Sequence, residues 1–234
     1  MGALLTRLLL AVVVLLAGTQ ALVPPFLAAR VAESLETSLG GVPVQVRLDT
    51  FPALRLLTGH VDRLTVDVAD MVVDGLAVES LRLEAVDVRM DVPGVLRGEA
   101  WRPQADDNVT VQAVVQEAAV ARLVRERLPV GVDVDVRLTT DGVELFGRTQ
   151  LLGMSVDLTV RGRVAPDETG TQLVFVPEEI VVGGQALADW IAAGLRQTYT
   201  ASVDLDASPV PLVVEEVVHG PGRITITGRP RSAG

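Results

Sequence analysis

Histidine and cysteine, which serve in many acid–base and metal sites, are scarce in this 234-residue sequence. It contains two histidines, His60 and His219, and no cysteine, which excludes thiolate nucleophiles, disulfides and cysteine metal ligands. Neither histidine belongs to a His-Glu-x-x-His motif, and the sequence has no Gly-x-Ser-x-Gly elbow and no phosphate-binding glycine loop. For both histidines, an ordinary surface or capping role is the favoured interpretation.

The carboxylates do not form a catalytic pattern either. Adjacent neighbours in a strand point to opposite faces, so paired acidic residues do not by themselves make a general acid and base. Such pairs are Asp106–Asp107, Glu178–Glu179 and Glu215–Glu216. Asp67, Asp70 and Asp74 lack the ligand spacing of a known calcium loop. The sequence therefore predicts no enzyme activity, no metal site and no cofactor.

The composition favours an apolar ligand over a nucleic acid. The formal net charge is −10, whereas a nucleic-acid-binding surface must neutralise phosphates with basic side chains. Hydrophobic residues make up 49% of the chain, the mean hydropathy is +0.40, and aromatic residues make up only 3%. The apolar surface is therefore mainly Val, Leu and Ala, which suits flexible hydrocarbon better than stacking on bases or sugars.

The stretch 130–164 predicts the central element, an antiparallel sheet with one apolar face. Aliphatic residues alternate with polar ones before Asp141-Gly142, and again after Leu152-Gly153. A period of two places the aliphatic side chains on one face. Asp141-Gly142 is typical of a hairpin turn, and the chain is expected to turn again at Leu152-Gly153. This face covers either an ordinary packed core or a ligand, and the pattern leaves both open.

The remaining pattern predicts an α+β fold, because hairpins rather than helical crossovers join the strands. A change of phase between Leu76 and Met90 predicts a β-bulge and hence a curved sheet. The segment 94–107, which contains Trp101, is typical of a loop. The predicted helices are Arg30–Leu39, a short turn at Leu54–Leu57 closed by Gly59, Glu117–Leu128 and Gln185–Thr198.

The first 29 residues predict a targeting segment. Arg7 precedes the apolar run Leu8–Ala17 and small residues at Thr19 and Ala21, which fits a cleaved secretion signal. An uncleaved membrane anchor fits equally, because no further charge occurs before Arg30. Both interpretations place the protein in the periplasm or on the outer face of the plasma membrane. The predicted organisation is 1–29 for targeting, 30–230 for a single domain and 231–234 for a tail.

Several short motifs occur together in a characteristic order. They are Phe51-Pro52, the leucines up to Gly59, Asp62 with the strand Leu64, Val66 and Val68, then Val72, Gly75-Leu76, Leu152-Gly153 and Val182-Gly183-Gly184. With these motifs the chain resembles the LmeA family of actinobacterial cell-envelope phospholipid-binding proteins. Thr50 and Ala53 depart from the glycine and the bulky apolar residue associated with the Phe-Pro motif.

The resemblance implies an exported or membrane-anchored protein that binds phospholipid and supports lipoglycan maintenance. It also implies a fold similar to the tubular lipid-binding proteins, with a strongly curved antiparallel sheet wrapped around amphipathic helices. The expected partners are phospholipid and the membrane surface, and acyl chains are expected to lie against the aliphatic face.

The predicted lining residues come from three places. They are Leu187, Trp190, Ile191 and Leu195 of the last helix, Met154, Val156 and Leu158 of the sheet, and Phe51, Leu54 and Leu57 near an opening. Arg55 and Arg63 are the nearest cations for a phosphate headgroup, and ordinary solvated arginines are the alternative. The alternative function is a non-enzymatic envelope scaffold whose apolar face packs on a partner protein.

Overall fold

The computed structural model describes residues 2–97, 108–128, 133–151, 154–186, 202–208 and 211–231. This part of the chain is mostly β-sheet with a few helices. The helices are α1 (Gly2–Ser38), a 3₁₀ helix (Ala53–Thr58), α2 (Val92–Leu96) and α3 (Glu117–Arg127). The strands are β1 (Val44–Asp49), β2 (His60–Val73), β3 (Leu76–Arg89), β4 (Asn108–Gln116), β5 (Asp133–Leu138), β6 (Val143–Leu151), β7 (Met154–Pro166), β8 (Gln172–Val182), β9 (Gln185–Ala186), β10 (Ser202–Asp204), β11 (Leu212–Gly220) and β12 (Arg223–Pro230).

The strands form two sheets. The first has the order β1-β2-β3-β4-β12-β11, and the second has the order β10-β8-β7-β6-β5 with β9 added beside β8. As the hairpin-rich sequence predicts, antiparallel pairing joins these strands: β1 with β2, β4 with β12, β11 with β12, and β5 to β10 through the successive pairs β5–β6, β6–β7, β7–β8 and β8–β10, with β9 on β8. The chain divides into two compact units, one made of 1–69, 82–110 and 232–234 and the other of 70–81 and 111–231. The targeting, domain and tail boundaries stay predictions.

Helix α1 is longer than the sequence pattern indicates. A separate helix at Arg30–Leu39 was expected, whereas one helix runs from Gly2 to Ser38 with Pro24 and Pro25 inside it. Leu27, Ala28 and Val31 are buried, and their spacing defines one helical stripe that packs into the first unit. Tertiary packing thus extends the helix through two prolines that would disfavour it in isolation. Among the described residues, no helix has the length and apolar character needed to cross a membrane.

The short turn after β1 forms as predicted. The 3₁₀ helix ends at Gly59, which has a φ of +80°. A Cβ at this position would collide with the carbonyl oxygen of Met90, while the Met90 amide donates to the Gly59 carbonyl at 2.7 Å. Glycine is therefore required here by backbone conformation and by close approach of the chain.

The predicted change of phase in β3 is confirmed at Val86 and Asp87. Leu81, Leu83 and Ala85 are buried at odd positions, and burial resumes at Val88 on an even one. Asp87 has a φ of +55°, which is the local conformation that lets the strand change phase. Val86 was expected on the buried side, but it is exposed because it lies at this irregularity.

Two predicted element boundaries are wrong. Part of the expected loop is helix α2, whose first turn is capped by the Asp91 carboxylate accepting from the Gly94 amide at 3.2 Å. Gln185 was expected to begin a helix, but Gln185 and Ala186 instead pair with Val182 and Val181 as β9. Gly183 and Gly184 both have positive φ and make the tight hairpin that produces this pairing. The rest of that predicted helix lies outside the described residues.

Candidate functional site

The second sheet carries a continuous aliphatic face built from directly paired residues. One row across β5, β6, β7 and β8 is Val136, Leu145, Val160 and Ile180, and the next is Val134, Gly147, Leu158 and Val182. Residues that pair directly across antiparallel strands project to the same face. Together with Val156, the seven non-glycine members of these rows define what we call the aliphatic face. Val134, Val136 and Ile180 are buried, whereas Leu145, Val156, Leu158, Val160 and Val182 are half-buried.

The opposite face of the same sheet is ionic. The register places Arg137, Glu144, Arg161 and Glu179 in one row of alternating charge. Arg161 contacts Glu144 at 3.0 Å and Glu179 at 2.6 Å, and hydrogen bonds to these carboxylates raise the pKa of Arg161. The sheet is therefore strongly amphipathic, which fixes its register and leaves the aliphatic face without charge.

A bulge bends the sheet beside this face. The β7–β8 register shifts between Arg161 and Gly162. A Cβ on Gly162 would collide with the Val176 carbonyl oxygen, so only glycine allows the two backbones to approach here. A bulge increases local twist and bends the strand that contains it. The half-buried members of the aliphatic face thus belong to a curved surface.

Two of the predicted lining residues are brought together on this face. Val156 and Leu158 lie two residues apart in β7, and both are half-buried. Met154 begins the same strand, but its side chain is not among those described. Leu187, Trp190, Ile191 and Leu195 lie outside the described residues. Their contact with lipid stays a prediction, as does that of Val156 and Leu158.

A second candidate feature is the Phe51-Pro52 loop of the first unit, which is held by side-chain hydrogen bonds. The Phe51-Pro52 peptide bond is cis. The Gln20 side chain donates to the Thr50 carbonyl at 2.9 Å and accepts from the Ala53 amide at 2.7 Å. These two bonds flank Phe51 and Pro52 and attach the loop to α1. The buried Thr50 hydroxyl accepts from the Asp62 amide at 3.1 Å, so this threonine, which departs from the family pattern, joins the loop to β2.

Asp62 organises the outer side of this loop. Its carboxylate accepts from the Phe51 amide at 2.9 Å and contacts Arg55 at 2.8 Å and His60 at 3.3 Å. The Phe51 N–H bond, followed by the charges of Arg55 and His60, holds the pKa of Asp62 below its ordinary value. The ionised carboxylate therefore stabilises the native loop.

The remaining predicted residues of this region are exposed. Phe51 and Leu54 are exposed to solvent, and the Leu57 side chain is not among those that the structure describes. Arg55 pairs with Asp62, and Arg63 pairs with Glu84 at 3.4 Å. Both arginines are thus exposed and ion-paired, as expected if they are ordinary solvated arginines. A headgroup role for either one stays a prediction.

The histidines have structural contacts. His60 lies between Asp62 and Asp87, at 3.3 and 3.2 Å, while the His219 Nε2 accepts from the Val164 amide at 3.1 Å. Burial and the charge of Arg163 lower the pKa of His219, which keeps its Nε2 unprotonated and able to accept. Within the part of the chain that is described, no cluster of three or more His, Asp or Glu could hold a metal ion.

A polar cavity of about 340 Å³ lies between α1 and α2 in the first unit. Its lining is Arg30, Glu33, Ser34, Thr37, Val95, Leu96 and Arg97. Arg30 and Glu33 form an ion pair at 3.0 Å across part of it. Charged and hydroxyl side chains dominate this lining, so the cavity does not suit a hydrocarbon chain.

The sequence pattern did not identify Gln20 as a site residue, nor the members of the aliphatic face other than Val156 and Leu158. Gln20 acts on residues about thirty positions away, and no local pattern marks such a contact. Leu145, Val160 and Val182 carry the alternating signal, but only the cross-strand register shows that they share one surface with Val156 and Leu158.

Sites for apolar ligands are lined mainly by hydrophobic side chains, and the uncharged, half-buried aliphatic face supplies such side chains. Residues 18–229 match the model of the LmeA-like phospholipid-binding family. The chain belongs to the LmeA-like phospholipid-binding family, which confirms the resemblance seen in the sequence. No curated protein and no solved structure matches the chain.

Proposed function

We propose that this protein holds the acyl chains of a phospholipid against the aliphatic face of its second sheet. The family supports phospholipid binding. The observation that carries the proposed site is the set of half-buried aliphatic side chains on a curved sheet, all within the matched region. No charged residue belongs to the two rows of this face, so an acyl chain meets only hydrocarbon there.

The physical driving force is sufficient for a lipid. Each buried methylene contributes roughly 0.8 kcal/mol, so one acyl chain contributes on the order of 10 kcal/mol before entropic costs. Half-buried Val and Leu side chains adapt to a mobile chain without a specific polar contact. In the proposed architecture, the curved sheet wraps around amphipathic helices as in the tubular lipid-binding proteins, and residues 187–195 complete the lining.

The proposed role is non-enzymatic and extracytoplasmic. The contacts of His60 and His219 support this proposal, because each ring is engaged by neighbouring residues of the fold. The uncharged stretch between Arg7 and Arg30 supports export or anchoring at the envelope. Lipid transfer, or support of lipoglycan maintenance, are the roles that such a protein would serve there.

Native mass spectrometry combined with lipid extraction tests the proposal. The full chain is isolated from an actinobacterial host and its N-terminus is verified by intact mass, because Gln20, Leu27 and Ala28 belong to the fold. We expect stoichiometric phospholipid that survives gentle detergent exchange. An apo mass, unchanged after incubation with phospholipid vesicles, would refute the proposal and favour the scaffold alternative.

A further inference from the structure

Four large apolar side chains are exposed in two segments of the first unit that contact each other through Gln20. Leu22 and Phe26 of α1 are 71% and 54% exposed, and Phe51 and Leu54 of the adjoining loop are 77% and 41% exposed. We call Phe51 and Leu54 the apolar tip. Single exposed apolar residues are common, but exposed aromatic and leucine side chains grouped together indicate an interaction surface.

The Gln20 contact attaches the tip to α1. Its side chain bonds to Thr50 and Ala53, the residues that immediately precede Phe51 and Leu54. Leu22 and Phe26 follow Gln20 on α1 by two and six residues, which is at most about 9 Å along the helix axis. At about 100° per residue, Leu22 and Phe26 project from the side of α1 away from Gln20, so they lie near the level of the tip along the axis but on the other side of the helix.

Cations accompany the apolar groups. The Arg30 guanidinium lies over the Phe26 ring at 5.7 Å, and Arg55 follows Leu54 directly. Both arginines are exposed and also contact a carboxylate, Glu33 and Asp62 respectively. An apolar group with a long basic side chain beside it matches the boundary between acyl chains and phosphates, where the arginine stem follows the apolar groups and its head stays at the phosphates.

We propose that the apolar tip is the surface by which this protein docks on a phospholipid bilayer, with Phe51 and Leu54 inserted at the headgroup boundary. A bilayer, rather than a protein, is the occupant because the tip is attached through Gln20 to α1, in which an uncharged stretch reaches back to Leu8. The tip is thus joined to the most apolar part of the sequence. This inference rests on the proposed function, because it gives the lipid-binding protein its point of contact with the membrane.

The absence of cysteine makes a site-specific test possible on the full chain. Phe51→Cys and Leu54→Cys are labelled with an environment-sensitive fluorophore and added to phosphatidylcholine–phosphatidylglycerol vesicles that contain lipids with a nitroxide on the acyl chain. Matched controls are Val72→Cys, which is 63% exposed, and Val218→Cys, which is 49% exposed, both in the second unit. All four labelled positions are exposed, so the labels leave the core intact.

We expect a blue shift and several-fold stronger nitroxide quenching at residues 51 and 54 than at the controls. Quenching at residues 51 and 54 that equals the controls would overturn the docking proposal. Lipid stoichiometry is measured on the same samples: bound phospholipid without tip insertion refutes docking and leaves the proposed function intact. Tip insertion in a protein that never retains phospholipid supports docking and refutes the aliphatic-face site instead.

Discussion

Val156→Asp is the sharpest perturbation of the aliphatic face. Val156 lies in β7 one residue after Ser155, which is exposed on the opposite face. A carboxylate at residue 156 would face the proposed acyl chain, whereas a carboxylate at residue 155 would join an already ionic surface. The pair therefore compares the same new charge on two sides of one strand.

The expected magnitudes separate folding from binding. Full burial of a valine contributes about 1.5 to 3 kcal/mol, so losing a half-buried one costs about 1 kcal/mol of folding stability. Forcing a carboxylate against hydrocarbon costs at least several kcal/mol, or its protonation. At 1.4 kcal/mol per factor of ten, this predicts at least about a hundredfold weaker lipid binding in a folded protein.

The assay is native mass spectrometry of both variants, with circular dichroism melting to verify folding. Ser155→Asp should retain phospholipid at the wild-type ratio and melt close to wild type. Val156→Asp should melt slightly lower and carry almost no lipid. A folded Val156→Asp protein with stoichiometric phospholipid would refute the assignment of this face as the acyl-chain site.

Three further predictions concern the framework. Gln20→Ala removes two hydrogen bonds to the backbone and should lower the free energy of unfolding by about 1 to 3 kcal/mol in urea titrations. Exposed Gln45→Ala is the control, and an equal decrease in the free energy of unfolding of both variants would contradict a stabilising role of the Gln20 contact. Because the folded protein lowers the pKa of Asp62 from an ordinary value of 3.8, this carboxylate contributes stability that is complete above that pH and lost as pH falls below it. Asp62→Asn should therefore reduce stability near neutral pH and flatten its acid dependence, and an unchanged acid slope would disprove this role. Gly162→Ala should cost about 2 kcal/mol or more through collision with the Val176 carbonyl, whereas Gly18→Ala, with open space around it, should be neutral or slightly stabilising; similar melting temperatures for both would contradict the bulge geometry.

Local chemistry made much of the second sheet predictable. Alternation marked β5 and β7, and Asp141-Gly142 marked the hairpin between β5 and β6. The same reasoning located the end of the 3₁₀ helix at Gly59, because a left-handed conformation there needs glycine. These features depend on a few neighbouring residues, so the sequence contains their cause.

Features that depend on distant partners were not predictable. The pairing of β4 with β12 joins residues more than a hundred positions apart, and nothing in either strand specifies the other. The sequence pattern predicts that Gln185 begins a helix, yet the Gly183-Gly184 turn pairs Gln185 with Val182 of β8. The sequence shows each aliphatic residue of this face, but only the register of the four strands shows that these residues share one surface.

The Gln20 contact has a consequence for the maturation of the protein. The small residues Thr19 and Ala21 suit a signal peptidase, and a cut after Ala21 would carry Gln20 away with the released peptide. The Thr50 carbonyl and the Ala53 amide would then lose their partners, and the Phe51-Pro52 loop would lose its attachment to α1. Proteolytic release would therefore leave the loop held by its contacts with Asp62 of β2, whereas a chain that keeps its first helix also keeps the attachment to α1.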